Sequence, residues 1–372
     1  MRGSSLIGFA ALGLAVLGAA ANAEQPPRKF GVFVHGGVNG GVAKPGAPAY
    51  CARDEYAADD GPRVRERLAV AVEAGYGVLE AGGAATDAVA AAIVVLEDSP
   101  LFNAGKGAIE TDRGTIEMDA GVMDGATLDV GAIAGVTRLR NPIKGALALL
   151  KAHREVLMDG EGAEAVVQSL DPDTRMEAPE YFREHRRCLP GAPAFSSHGT
   201  VGAVALDKEG RLAAGASTGG YPGKRSGRIG DTPIAGAGIY ADANVALASS
   251  GMGEQFLRHT ITRTAAARIA YLKEPAPLAV AHAFDEAYAT DGLVNVEPDA
   301  GCLRPNATGR ACPEARKILA RYGALGIGGV IGIDREGNVF DYLRFWAFAR
   351  GYRTSSDPAP VVRLDGPVDV LR

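Results

Sequence analysis

The chain carries no excess of basic residues. Its 372 residues include 39 Lys and Arg against 44 Asp and Glu, a net charge of −5. No Lys/Arg stripe interrupts that balance, which argues against nucleic acid as a partner. Beyond the first two dozen positions, no apolar run is long enough to span a bilayer. Cysteine is sparse too. Cys51, Cys188, Cys302 and Cys312 form no C-x-x-C pair, so the spacing gives no zinc site. Charged residues make up only 22% of the chain and hydrophobic ones 47%, which suits a sizeable globular core. Glycine is abundant at 50 residues, well above ordinary usage, and helps elements approach closely.

The N-terminus reads as a removable segment. Arg2, the apolar run "LIGFAALGLAVLGAA" and the small-x-small "ANA" (Ala21 to Ala23) before Glu24 match a secretory signal. A membrane anchor is the alternative, but the run is short and no basic stop-transfer follows. The expectation is therefore that residues 1–23 are removed and the protein is exported, periplasmic or secreted, with no membrane contact afterwards. In an oxidising compartment four cysteines suggest disulfides. Cys302 and Cys312 bracket "LRPNATGRA" and would form one pair, Cys51 and Cys188 the other. Four free thiols are the alternative.

The rest of the chain alternates strand and helix patterns. "KFGVFVHGG" reads as a strand entering a glycine turn. From about Arg63, apolar residues recur at helical spacing until Gly82-Gly83 stops them. "ATDAVAAAIVVLEDSP" predicts a second helix with Thr86 as N-cap. "TIEMDAGVMDG" and "DVGAIAGVTRL" predict paired strands, and Asn141 to Leu170 a helix. Residues 168–199 turn polar and Pro-containing, as a linker would. Then come "VGAVALD", the turn Asp207 to Gly210, and "RLAAGAST". "IAGAGIYAD", "VALASSG" with a long helix after it, and the hairpin "GGVIGIDREGNVFDYLRF" follow. This pattern predicts an α/β layered domain cut near its middle by one linker.

That cut is chemically suggestive. A flexible run, "CLPGAPAFSSHG", feeds straight into a strand whose first residue is Thr200, with Gly199 before it. A hydroxyl is a weak nucleophile without an adjacent base. A threonine at a chain start carries one, its α-amine, with an ordinary pKa of about 7.7–8.0. Glycine before the cut leaves room for attack on its own carbonyl, and the flexible segment can then depart. "HGTV" alone would not carry this reading, since short motifs match by chance.

Further motifs strengthen it. "VHGGVNG", "ATDAVAAAIVVLEDSPLFNAGKGA", "IEMDAGVMDG", "HGTVGAVALDKEGRLAAGASTGG", "SGRIGDTPIAGAGIYAD" and "GGVIGIDREGNV" come in one order at matching spacings. Together they resemble the plant-type L-asparaginase / isoaspartyl aminopeptidase family of N-terminal nucleophile hydrolases. The resemblance implies a four-layer αββα sandwich, α (24–199) and β (200–372) subunits forming one domain, and an (αβ)2 assembly. It implies hydrolysis of small β-aspartyl dipeptides and L-asparagine with no catalytic cofactor.

Carried over residue by residue, Thr200 matches the nucleophile and Thr218 the threonine whose hydroxyl supports it. Arg228 and Asp231 match the pair that grips the substrate's α-carboxylate and α-amine. A planar guanidinium suits the first and an acidic side chain the second. Ser250 and Gly251 fall at a threonine-glycine oxyanion hole, Gly253 lies on the substrate side of that loop, and Asn103 helps hold the nucleophile region. The backbone carbonyls of Leu96, Glu97, Ser99, Phe102, Ala104 and Lys106 match a loop that wraps a structural sodium ion. His35 reads as a satisfied structural histidine.

Three positions depart from the pattern. Ser250 replaces threonine, losing the methyl that stiffens χ1. Ser226 stands where the family often has proline. The tail from Phe345 onward is longer and differently composed. Two other readings compete. An aspartylglucosaminidase of the same fold usually has Asp, not Gly199, before the nucleophile. A periplasmic amino-acid-binding protein would remain a single uncut chain.

Overall fold

The computed structural model describes residues 29–39, 61–183, 199–221, 223–290, 328–343 and 347–364. The expected signal segment and all four cysteines lie outside these residues. Two sheets dominate. The first has eight strands in the order β12 (Val361–Arg363), β11 (Ala347–Thr354), β1 (Gly31–Asn39), β5 (Val201–Leu206), β6 (Leu212–Thr218), β2 (Met118–Asp124), β3 (Val130–Val136) and β4 (Leu157–Asp159). Only β3 and β4 pair in parallel. The second sheet runs β10 (Val339–Leu343), β9 (Gly328–Asp334), β8 (Val245–Gly251), β7 (Ile239–Ala241), antiparallel throughout.

Side-chain alternation explains how the sheets stack, because successive residues of a strand face opposite sides. Phe33, Val204, Leu206, Leu212, Ala214 and Ala216 of the first sheet share one buried cluster with Ala246, Ala248, Ile331 and Ile333 of the second. Their neighbours Val32, Val34, Ala203, Ala205 and Ala213 face the other way, into a cluster with helices α1 (Gly61–Glu80), α2 (Ala85–Glu97) and α3 (Pro142–Ala152). On the far side of the second sheet, Val245, Leu247 and Val330 pack on Phe256 of α6 (Gly253–His259), Ile261 and Ala265 of α7 (Ile261–Ala267), and Val280 and Phe284 of α8 (Ala276–Thr290). Both central strands, β5 and β6, are buried along their whole length. Each fully buried Val or Leu there contributes about 1.5–3 kcal/mol.

Several expectations are corrected in detail. Thr86 does not cap α2. The helix begins at Ala85, whose N–H donates to Asp207 Oδ2 at 3.2 Å, so a carboxylate from the β5–β6 turn satisfies the end instead. The helix expected over Asn141 to Leu170 is two helices. His153 ends α3 at φ 53°, β4 pairs with β3, and α4 (Gly160–Leu170) follows. The segment read as a linker from residue 168 begins inside α4 and contains α5 (Pro179–Arg183). The long helix after β8 breaks at Thr260, φ 44°, between α6 and α7. "IAGAGIYAD" keeps only the short β7 as strand. Part of the unusual tail forms β11 and β12 at one edge of the first sheet.

Candidate active site

The same alternation aims the candidate hydroxyls. Thr200 has the parity of Val204 and Leu206, Thr218 that of Ala214 and Ala216, and Ser250 that of Ala246 and Ala248. All three therefore point into the space between the sheets. Register brings the first two together, because Val201 pairs with Ser217 on β6. Thr200 Oγ1 donates to Thr218 Oγ1 at 3.0 Å, and Thr218 Oγ1 also accepts the Gly220 N–H at 2.9 Å. Thr200 is 9% exposed and Thr218 1%. Thr232 Oγ1 lies 3.5 Å from Thr200 Oγ1.

Gly199 is held just as closely. Gly37, at φ +96° beside a bulge in β1, packs so tightly that a Cβ there would overlap Gly199 N, C and O. Asn103, 2% exposed, fixes the turn after Thr218. Its Nδ2 donates to Gly220 O at 2.5 Å, its carbonyl accepts the Gly219 N–H at 2.9 Å, and its Oδ1 accepts the Ile109 N–H at 3.0 Å. His35 is fully buried and stacks on Phe348, ring centroids 5.1 Å apart. Burial pushes its pKa down to about 3 against the opposing pull of the Thr200 backbone, so it is neutral.

Arg228 and Asp231 are not bonded as a simple pair. Arg228 donates from Nε to Glu254 Oε1 at 3.0 Å, with its guanidinium 4.6 Å from the centroid of the Tyr221 ring. Asp231 Oδ2 accepts the Ser249 hydroxyl at 3.2 Å. Both groups instead converge over Gly253: a Cβ on that residue would stand 2.6 Å from Arg228 Nη2 and 2.6 Å from Asp231 Oδ1. A cation and a carboxylate thus crowd one backbone position, which a residue without a side chain allows. Thr232 follows Asp231 directly and reaches Thr200, while Ser249 precedes Ser250. Arg228 and Asp231, the two threonines and the β8 terminus thus meet in one place. Ser250 is fully buried, and Gly251 ends β8 opposite Gly328.

A family model described as asparaginase matches residues 45–189 and 176–312. The isoaspartyl peptidase of Salmonella typhimurium is 39% identical over 315 residues, 80% of this chain and 90% of the relative. That of Escherichia coli is 40% identical over 294 residues, 74% of this chain and 81% of the relative. The human isoaspartyl peptidase/L-asparaginase is 36% identical over 242 residues, 62% of this chain and 74% of the relative. The chain belongs to the asparaginase family.

In this asparaginase-family chain, sequence reasoning missed Thr232, Ser249, Glu254 and Tyr221. Only Thr232 had a signal, its position directly after Asp231 in "GRIGDTP". The other three reach the site through tertiary contacts. Asp119 was missed as well: it is buried beneath the Arg228 loop, with Oδ2 accepting the Gly230 N–H at 3.3 Å and Oδ1 the Gly135 N–H at 2.9 Å. Burial raises its pKa, with Lys224 opposing.

The loop from Leu96 to Lys106 is compact. The Ser99, Ala104 and Gly107 N–H groups donate to the carbonyls of Leu96, Phe102 and Ala104 respectively. Ser99, Phe102 and Ala104 are buried, and Gly105 sits against the Glu97 backbone. The Lys106 ammonium lies 5.1 Å from the Tyr181 ring centroid. The Glu97 carboxyl is fully buried. Burial pushes its pKa up to about 8, against the hydrogen bond that the Ile143 N–H donates to its Oε1 at 2.9 Å.

Burial likewise pushes the Asp231 pKa up to about 6, with Arg228 pulling the other way. The sign follows directly. An ammonium held by Asp231 needs the carboxylate ionised, so such binding is fully present above that value and is lost as pH falls through it. The inhibition constant of L-aspartate should therefore weaken about tenfold per pH unit below about pH 6. A constant that is flat across the acid range would remove Asp231 from ammonium recognition.

Proposed function

We propose that the chain is an autoprocessing amidohydrolase that releases L-aspartate from β-aspartyl dipeptides and L-asparagine. The observation that carries this reading is the Thr200–Thr218 hydrogen bond of 3.0 Å, met by Thr232 directly after Asp231, whose carboxylate converges with the Arg228 guanidinium over Gly253. The two stacked sheets with helices on both outer faces support a four-layer αββα sandwich of the N-terminal nucleophile hydrolase type. Its α subunit would run over 24–199 and its β subunit over 200–372, sharing one domain. Export after loss of residues 1–23 and an (αβ)2 assembly belong to the same reading.

Maturation comes first. The Thr200 hydroxyl attacks the Gly199 carbonyl, the peptide becomes an ester, and water cleaves the ester. Gly199 gains a carboxylate and Thr200 a free α-amine. In turnover that amine takes the proton from Oγ1 while Thr218 holds the hydroxyl in place. Arg228 binds the α-carboxylate and Asp231 the α-ammonium of an aspartyl unit, leaving its β-carbonyl for Thr200. The Ser250 hydroxyl and Gly251 N–H meet the oxyanion. The protonated amine then supplies a proton to the leaving nitrogen, and water hydrolyses the aspartyl ester to free Thr200. Asn103 keeps the Thr218 turn in register. A sodium ion would be held by the carbonyls of Leu96, Glu97, Ser99, Phe102, Ala104 and Lys106, where it would stiffen the loop that carries Asn103.

A coupled aspartate assay over a substrate panel tests the reading. β-Asp-Leu should be hydrolysed and L-asparagine turned over more weakly. L-Glutamine should be refused, because one extra methylene moves its carbonyl off the nucleophile. α-Aspartyl dipeptides should be refused as well. Activity on glycosylated asparagine with none on β-aspartyl dipeptides would replace the proposed substrate class.

A further inference from the structure

The residue that grips the substrate's carboxylate closes a turn that has no proline to preset it. Arg228 N–H donates to Arg225 O at 3.0 Å, with Gly227 at φ +84°. That is the pattern of a type II turn, in which proline is favoured at the second position because its ring presets φ. Ser226 occupies the position and has no such lock. The restraint comes from a distant part of the chain. Ser226 Oγ donates to Glu117 Oε1 at 2.6 Å, and the Gly227 N–H donates to Glu117 Oε2 at 2.7 Å. The Ser226 N–H donates to Asp112 Oδ1 at 3.0 Å. One carboxylate thus clasps two successive residues with both oxygens.

The clasp is itself well founded. Glu117 is 9% exposed and lies just before β2. The Thr115 hydroxyl donates to its Oε1 at 3.1 Å, and the buried Lys224 ammonium donates to its carbonyl at 2.6 Å. The Asp112 N–H donates to Lys224 O at 2.8 Å, binding the two segments again. Burial would raise the Glu117 carboxyl, but hydrogen bonds from Ser226, Gly227 and Thr115 and the charge of Lys224 hold it below its ordinary value. It is therefore ionised and accepts with full charge, which makes such bonds strong. None of the proposed catalytic steps uses Glu117.

We infer that Glu117 is a positioning residue for Arg228. Its carboxylate fixes the Ser226–Gly227 turn and so sets where the guanidinium stands for the substrate's α-carboxylate. It does so from the opposite side of the Gly199–Thr200 bond, so that after cleavage one subunit aligns the recognition residue of the other. The inference rests on the proposed function, and it concerns binding rather than bond-making.

The test is a comparison of KM and kcat for β-Asp-Leu in the matured full chain, with Glu117→Gln, Ser226→Ala and Ser226→Thr. The amide of Glu117→Gln turns one acceptor into a donor facing a donor. KM should rise about tenfold with kcat changed by less than about twofold, and the two-subunit pattern should persist. Ser226→Ala should raise KM less, and Ser226→Thr, which keeps the hydroxyl, should restore it. Unchanged KM in Glu117→Gln, or a fall in kcat alone, would overturn the inference. Should Glu117→Gln fail to mature, the Ser226 pair decides, and equal KM for Ala and Thr overturns it. A wild-type enzyme that is cut yet inactive on β-Asp-Leu would instead count against the functional reading itself.

Discussion

Thr200→Ala is expected to remain a single chain and to lose hydrolytic activity by a factor on the order of 10⁴ or more. Both losses follow from one atom. Without Oγ1 nothing attacks the Gly199 carbonyl, and no α-amine is released to act as base. Collapse of the fold would not explain the result. Thr218 Oγ1 keeps the Gly220 N–H at 2.9 Å, so the substitution removes only the neutral hydrogen bonds to Thr218 and Thr232, each worth about 1 kcal/mol or less. Thr200→Ser keeps the hydroxyl but frees χ1, and should cut and turn over more slowly. A Thr200→Ala protein with wild-type melting behaviour, one band on a denaturing gel and no aspartate release is the expected set. Aspartate release from an uncut variant would contradict it.

Gly253→Ala should be the most damaging small substitution away from the nucleophile. Its methyl group would stand 2.6 Å from both Arg228 Nη2 and Asp231 Oδ1, closer than any ordinary contact. The Arg228 guanidinium and the Asp231 carboxylate must then move apart. A misplacement of about 1 Å can cost 10²-fold in rate, and kcat/KM is expected to fall by at least about that factor. Gly199–Thr200 lies outside this contact, so maturation should continue. Steady-state kinetics on the matured variant checks both points. Near wild-type kcat/KM would mean that the substrate does not sit between Arg228 and Asp231.

These expectations could be framed because much of the site was legible in the sequence. The Gly199–Thr200 junction stood out where a Pro/Gly/Ser run met a buried strand, and "STGG" and "GRIGD" supplied Thr218, Arg228 and Asp231. Strand periodicity then did more than mark secondary structure: it set the parity that turns Thr200, Thr218 and Ser250 to the same space. What it could not supply was partners across the fold. Ser249 is distinguished from Ser250 only by facing the other way along β8, and it meets Asp231 because the Ile234 to Gly238 turn doubles back. Glu254 and Tyr221 matter because the Arg228 guanidinium lands beside them.

The errors have the same origin. Thr86 has the right chemistry for a cap and stands in nearly the right place, yet Asp207, 122 residues away, satisfies the helix end. A local preference worth about 1 kcal/mol gives way readily to a charged acceptor delivered by the tertiary fold. The breaks at His153 and Thr260 were hidden for a related reason. Neither residue is a glycine, the residue that most often marks such left-handed breaks. Ser226 shows how a departure from pattern can be absorbed: a turn that proline would preset is held instead by Glu117 and Asp112.

Cleavage is the claim on which the rest depends, and intact-mass measurement of the purified wild-type protein under denaturing conditions tests it most directly. Two chains are predicted, the second beginning at Thr200, with aspartate-releasing activity appearing in step with them. A single uncut chain possessing full activity would contradict the account.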